Sequence, residues 1–128
     1  MVTPPDTIRD YRDLIVWQEA MEIAELVYSV TRSFPREEAF GLVSQMRRAA
    51  VSIPSNIAEG FGRAQRRSFV QFLRIAQGSL KELETQAQLS ARIGLLDSES
   101  LTGLLDRTER LGKRLVQFVR SLERRVGE

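Results

Sequence analysis

Three arginines, Arg63, Arg66 and Arg67, lie within a span of five residues near the middle of the chain. Guanidinium groups bind phosphate well, because they present several N–H donors in a fixed planar arrangement. The cluster lies where a helix is predicted to begin, and a helix N-terminus offers free backbone amides to an anion. The pattern therefore predicts a phosphate site. The alternative is that these arginines are exposed in a loop and only aid solubility.

The distribution of charge along the chain concentrates positive charge on the same segment. Residues 63–94 carry six basic and two acidic side chains, a net of +4, whereas residues 1–34 carry three basic and six acidic ones, a net of −3. Cations at a helix N-terminus are opposed by the helix dipole, by roughly a few tenths of a kcal/mol each. Local rules of this kind are most often broken where function demands it. The residues predicted to contact nucleic-acid phosphates are Arg63, Arg66, Arg67 and Arg74.

The residue types that the chain lacks argue against most enzyme chemistry. It contains no His and no Cys, which excludes His-based triads, cysteine nucleophiles and the zinc and di-iron sites that depend on them. Ser52 and Ser55 have no evident general base. Glu19, Glu22 and Glu25 recur at a spacing of three, on an arc that is polar and solvated. We expect no catalytic residue, no metal and no cofactor.

The composition also bears on the location of the protein. The absence of Cys fits a cytoplasmic chain, and the polar N-terminal segment lacks the apolar core of a signal peptide. No apolar run approaches the roughly 18 residues of a membrane span. We therefore expect a cytoplasmic protein without a membrane partner.

A ribbon of polar residues follows the second predicted helix through the segment AAVSIPSNIAEGFGR (49–63). Its centre uses small hydrogen-bonding residues in place of the Lys and Glu of an ordinary solvated face, and small side chains let another backbone approach closely. Two interpretations stay open: a packing helix with satisfied polar groups, or a surface that docks a protein or nucleic acid. Pro54 cannot donate to the Ala50 carbonyl, so a kink is predicted there. The ribbon consists of Gln45, Arg48, Ser52, Ser55, Asn56 and Glu59.

Breaker residues and apolar periodicity predict four helices and no strand. Each helix has about 25 residues, or roughly 37 Å at 1.5 Å per residue, and short connections make neighbours antiparallel. The predicted fold is all-α, an antiparallel up-down-up-down four-helix bundle that forms a single domain over residues 10–126, after a flexible arm of residues 1–9. The helices are predicted from about Asp10 to Ser33, from Pro35 to Gly60, from Gln65 to Ile93, and from Asp97 to the basic run at Arg124 and Arg125.

The first helix carries two apolar stripes where one bundle core needs only one. The stripe centres lie roughly 130° apart at about 100° per residue, so the helix is apolar around more than half of its circumference. A monomer rarely exposes so large an apolar patch, which favours an interface between subunits over a deeply embedded first helix. One stripe contains Leu14, Trp17, Met21, Ala24, Tyr28 and Thr31, and the other contains Val16, Ala20, Ile23, Val27, Val30 and Phe34. The predicted oligomer-interface residues are Val16, Ile23, Val27 and Val30.

Glu84 flanks the apolar stripe of the third helix, at the edge of the predicted core. A carboxylate in such a position is usually paired. Arg47 or Arg48 of the second helix is the predicted partner.

Three segments carry a resemblance to a known family: DLIVWQEA (13–20), FPREEAFGLVSQMRRAAVSIPSNIAEGFGR (34–63) and FVQFLRIAQGSLKELETQ (69–86). They resemble the bacterial four-helix-bundle family of ribosomal RNA intervening-sequence proteins, also called "S23 ribosomal protein". The resemblance covers about residues 10–122, and the element SQMRRAAVSIPSNIAEG is its most specific part.

The resemblance implies an up-down four-helix bundle that assembles as a homopentamer. The chain also looks like the accessory variability protein of diversity-generating retroelements, a basic pentameric barrel that binds a reverse transcriptase and nucleic acid. One departure from the family pattern lies at the start of the third helix. Gln65 and Ser68 stand where members tend to have Ser and an acid, so the reciprocal capping box is lost.

Two functional hypotheses follow from the sequence. The first is a non-enzymatic homo-oligomer that binds RNA or DNA through its arginines, without reading the base sequence. The second is a protein-interaction scaffold, in which the polar ribbon or the assembled ring docks a partner such as a reverse transcriptase.

Overall fold

The computed structural model describes residues 8–127, and the side chains as far as Arg124; the predicted flexible arm falls mostly on residues 1–7, outside the described residues. Over this range the chain is all-helical, without a strand, and each helix packs antiparallel to the next while α4 also packs on α1. The predicted four-helix bundle is confirmed. No described helix has the length and apolar character to cross a bilayer. The helices are α1 (Ile15–Thr31), α2 (Leu42–Gly62), α3 (Arg66–Arg92) and α4 (Ser98–Gly127).

Helix α1 begins later than predicted, because the residues after Asp10 form a separate 3-10 turn, Tyr11–Asp13. The Asp10 carboxylate accepts from the Arg12 amide at 2.7 Å. The Asp13 carboxylate accepts from the backbone amides of Arg9 and Asp10, and these bonds lower the pKa of Asp13. Leu14 then takes an extended conformation (φ −74°, ψ 126°), which separates the turn from α1.

Helix α2 begins at Leu42, so its predicted start at Pro35 is wrong. Pro35 instead precedes a short 3-10 turn, Arg36–Glu38. Gly41 has φ −107° and ψ −113°, outside the α-helical region, so the helical conformation of α2 does not extend back beyond it. From Leu42 the helix continues through the buried Pro54 to Gly62.

The bounds of α3 and α4 lie within one residue of the predicted ones at three ends. Gly94 has a left-handed φ of +85°, which only glycine adopts without cost, and it ends α3 as predicted. The predicted N-cap of α4 is confirmed, since the Asp97 carboxylate accepts from the Ser100 amide at 2.7 Å. The same backbone hydrogen bond lowers the pKa of Asp97.

The core is one contiguous cluster of mostly aliphatic side chains from all four helices. The polar side chains buried with it find acceptors inside their own helices: Thr31 donates to the Val27 carbonyl at 2.7 Å, and Ser90 donates to the Gln86 carbonyl at 2.8 Å. Such local bonds let a hydroxyl be buried without leaving its hydrogen unpaired. The largest fully buried side chains include Ile23, Met46, Ile53, Ile57, Leu73, Leu80, Leu83, Leu104, Leu111 and Leu115.

The stripe of α1 that is predicted to form the interface lies in the core of this chain. Val16, Ile23 and Val27 are buried in the core of this chain, and Val30 is half-buried against it, so the predicted interface residues are wrong. The other stripe is the more exposed one, since Met21 and Tyr28 reach solvent. Periodicity could not assign the inner stripe, because both stripes have helical spacing and similar hydrophobicity.

The predicted partner of Glu84 is also wrong. Neither Arg47 nor Arg48 forms an ion pair with Glu84. Its carboxylate pairs at 2.9 Å with Lys81, one turn earlier in the same helix, and its second oxygen is buried without a protein donor. Arg47 instead holds α1 against α2, through a 3.0 Å hydrogen bond from its Nε to the Thr31 hydroxyl.

A close approach between two helices lies where α2 packs on the first turns of α3. A Cβ added at Gly60 would lie 2.6 Å from the Phe72 Cβ and 3.0 Å from the Phe69 ring. Only glycine therefore fits this position at the present helix separation. Two turns earlier, the hydroxyls of Ser52 and Ser79 share a hydrogen bond of 2.8 Å across the same helix pair.

Gly60→Ala is expected to destabilise the protein by about 1–3 kcal/mol, because the new methyl group has to push α2 away from α3. Gly78→Ala is the matched control, since nothing lies within 4 Å of a Cβ at this position in α3. Its expected effect is a gain of up to about 1 kcal/mol from helix propensity. Urea unfolding of both variants measures the difference. Equal effects of the two substitutions would contradict the close approach.

Candidate nucleic-acid interface

The arginine cluster occupies the tight connection between α2 and α3. Arg63 is the C-cap of α2, and Gln65 is the extended N-cap residue of α3, whose side chain caps no amide. Ala64 between them has φ +59°, a left-handed conformation that costs an alanine roughly 1–2 kcal/mol. The first amides of α3 thus start beside Arg66 and Arg67, without the side-chain cap that family members are expected to have.

Aromatic rings form a packed base beneath this connection. Phe69 contacts Phe61 of α2 and Phe118 of α4 edge to face, at centroid distances of 5.9 and 5.3 Å. These contacts, together with the close packing at Gly60, tie the ends of three helices together. The arginines therefore project from a region whose backbone is held by packing.

The three arginines of the connection differ in how their charge is balanced. Arg63 pairs with Glu59 one turn back in α2, at 3.1 Å, and its guanidinium lies 5.1 Å from the ring centre of Phe72. Arg66 and Arg67 are exposed, and neither forms an ion pair with any residue of the described chain. The connection thus carries two guanidiniums without an acidic partner, those of Arg66 and Arg67. The third, that of Arg63, lies between the Glu59 carboxylate and the Phe72 ring.

Arg74, which is predicted to contact phosphates, lies in a different environment from the other three arginines. Its guanidinium pairs with Glu123 of α4 at 2.6 Å, and both side chains are about half-exposed. The pair joins α3 to α4 and balances the charge of Arg74. Arg74 therefore differs from Arg66 and Arg67, because an acidic partner balances its charge, as Glu59 balances that of Arg63.

Tertiary structure adds two arginines that the sequence did not single out for this role. Arg120 and Arg124 are exposed on the last turns of α4. The contacts of Phe69 with Phe118 and of Arg74 with Glu123 place these turns at the level of the start of α3. Sequence spacing alone could not reveal this proximity, because more than fifty residues separate the two segments.

The predicted polar ribbon divides into a packed part and an exposed part. The Asn56 side-chain amide donates to the Ser52 carbonyl and hydroxyl at 2.8 and 2.9 Å, and the Ser52 hydroxyl bonds Ser79 of α3. This part serves the contact between α2 and α3, as the packing interpretation requires. The exposed part consists of Gln45, Arg48, Ser55 and Glu59.

Among the side chains of residues 8–124, no group of three or more His, Cys, Asp or Glu could hold a metal ion. The described residues form an all-helical bundle with a basic connection at one end. The family model for the 23S rRNA-intervening sequence protein matches residues 12–117, and the chain belongs to that family.

A solved structure supports the fold. The chain is similar to a protein of unknown function from the S23 ribosomal protein family of Bacteroides thetaiotaomicron, with a TM-score of 0.74 and 22% sequence identity. The similarity covers 82% of this chain and 98% of the other. No curated protein matches the chain. Neither the family description nor the similar structure names an enzymatic activity.

Ala64→Gly is expected to stabilise the protein by about 0.5–1 kcal/mol. Glycine removes the steric cost of the left-handed conformation, and the larger entropy of the unfolded glycine chain offsets part of this gain. Ala58→Gly, within the regular part of α2, is the control and should cost about 1 kcal/mol. Urea midpoints compare the two. A loss of stability in Ala64→Gly would show that the connection does not hold this conformation.

Proposed function

We propose that the protein is a non-enzymatic four-helix bundle that binds RNA or DNA through the connection between α2 and α3. The observation that carries the proposal is the exposed, uncompensated pair Arg66 and Arg67 beside the uncapped N-terminus of α3. Guanidiniums and free amides both donate hydrogen bonds to phosphate oxygens. Arg63 would be a third contact if a phosphate replaced its exposed partner Glu59, because exposed ion pairs are weak.

Contacts of this kind would position a nucleic-acid backbone without reading its bases. Arg63 lies over one face of the Phe72 ring, so this ring offers less open surface on which a base could stack. The proposal is therefore for binding that depends on charge and salt and tolerates any base sequence. Arg120 and Arg124 at the same end of the bundle would extend the positive surface.

The triple variant Arg63→Ala/Arg66→Ala/Arg67→Ala is expected to lose most of the binding to a labelled RNA or DNA oligonucleotide. Each lost phosphate contact should reduce the slope of log K against log salt, by about 0.7 for a single strand and about 0.9 for duplex DNA. Fluorescence anisotropy at several salt concentrations measures both quantities.

The control for this experiment is Arg32→Ala/Arg36→Ala/Arg92→Ala, which removes the same charge from exposed positions at the opposite end of the bundle. It should keep both the affinity and the salt slope nearly unchanged. Equal losses in the two triple variants would mean that only net charge matters. Absence of binding by the unmodified protein at low salt would refute the proposal.

We also propose that the chain assembles with copies of itself, as a homopentamer. The support is the family resemblance and the exposed apolar side chains of the bundle, among them Met21 of α1 and Leu89 and Ile93 of α3. Assembly would repeat the basic connection around a ring and strengthen weak phosphate contacts through multivalency. A partner such as a reverse transcriptase would then meet several copies at once.

Light scattering on the purified protein tests the assembly. The expected mass is five times the 14.6 kDa of the chain. Met21→Ser should lower this mass if the exposed stripe of α1 lies in the interface. The buried Val27 is unsuitable for this test, because substituting it would unfold the chain. A mass equal to that of a single chain over a wide concentration range would contradict the assembly.

A further inference from the structure

A surface groove of about 600 Å³ runs along the first three turns of α2, towards the end of the bundle opposite to the arginine connection. Helix α1 and the segment before α2 form its other walls. The arginine connection and the contact between α2 and α3 do not account for it. Its apolar lining comes from Tyr28, Ala39, Phe40, Val43 and Val51, and its polar lining from Ser44, Arg47, Arg48 and Ser52.

Three apolar side chains on the rim of this groove are exposed to solvent. Phe40 is 98% exposed, and Tyr28 and Val51 are 40% and 43% exposed on the same rim. Contiguous exposed apolar surface of this kind marks a site of interaction. Phe40 directly precedes Gly41, whose non-helical backbone conformation separates this segment from α2. The Phe40 ring therefore projects from the segment just before the helix.

The charge of the groove is entirely positive, since no carboxylate lies among its lining residues. The Arg47 guanidinium lies 4.4 Å from the ring centre of Tyr28 and donates to the Thr31 hydroxyl, which fixes its position. Arg48 is exposed and forms no ion pair with the described residues. A ligand that fills the groove should therefore present carboxylates beside an apolar surface.

The shape of the lining favours a protein helix over a nucleic acid. Single strands bind by stacking successive bases on open aromatic faces. Here one face of Tyr28 is covered by Arg47, three of the five apolar lining residues are aliphatic, and only Phe40 offers an open ring. The lining residues of α2 span three successive turns, so the groove is long enough to accept about three turns of a docked helix.

The exposed faces of this chain do not provide such a helix. Outside the groove, at most two large exposed apolar side chains of the described residues lie on successive turns of one helix, namely Leu89 and Ile93. Of the others, Met21 and Val116 stand singly outside the groove, and Ile75 lies on α3 but fourteen residues before Leu89. A second copy would therefore leave part of the three-turn groove unfilled.

We propose that this groove docks an amphipathic helix of another protein, with an apolar stripe over three turns and acidic residues along its flank. The apolar stripe would cover Phe40, Val43 and Val51, and the acidic flank would face Arg47 and Arg48. This site is separate from the proposed nucleic-acid interface, so each proposal can fail without the other.

The probe is a labelled synthetic helix of about five turns, roughly 18 residues, with Leu on successive turns and Glu on the flanks. A second peptide with Lys in place of Glu tests the charge. The Glu peptide should bind at least about tenfold more tightly than the Lys peptide by anisotropy, and Phe40→Ser should weaken it about tenfold. Arg48→Glu should reverse the preference between the peptides.

Ile75→Ser and Arg110→Glu are the matched controls, because both residues are exposed outside the groove. They should leave binding of the Glu peptide unchanged, and circular dichroism should show that all variants remain folded. Equal binding of the two peptides, or no effect of Phe40→Ser, would overturn the proposal. Light scattering in which Phe40→Ser dissociates an oligomer would assign the groove to a second copy. Loss of RNA binding in Phe40→Ser would assign it to nucleic acid.

Discussion

The close approach of α2 to α3 is the contact on which the other features of the bundle depend. It requires a residue without a side chain at Gly60, where a Cβ would lie 2.6 Å from the Phe72 Cβ. It also requires small polar side chains nearby, because Ser52 and Ser79 bond across the pair and Asn56 bonds Ser52. Larger residues at these positions would separate the helices.

This contact determines where both candidate interaction surfaces lie. At one end of α2, the packing of Gly60 and Phe69 holds the short connection that carries the arginines. At the other end, the first turns of α2 stay partly uncovered between α1 and the preceding segment, and the groove with Phe40 results. Positive charge at two separate ends of one helix can serve two different ligands.

The sequence predicted the number of helices, their order, the end of α3 and the start of α4 well, since Gly94 and Asp97 are strong local signals. The sequence did not predict the starts of α1 and α2, because the same local signal can begin either an α-helix or a short 3-10 turn. Asp10 and Pro35 both mark the start of a helical turn, and each begins a 3-10 turn instead of α1 or α2. Of the candidate site, Arg63, Arg66 and Arg67 do lie together, whereas Arg74 is balanced by Glu123 from α4.

The sequence by itself determined the helical class, the clustering of positive charge at the second connection and the absence of His and Cys chemistry, because these depend on residue type and short spacing. Tertiary structure alone decided which stripe of α1 is buried, that Arg74 pairs with Glu123 of α4, and that Arg120 and Arg124 lie at the end of the bundle where α3 begins. The physical reason is that helical periodicity defines faces of a helix, whereas only packing of one helix on another selects the face that loses its contact with water.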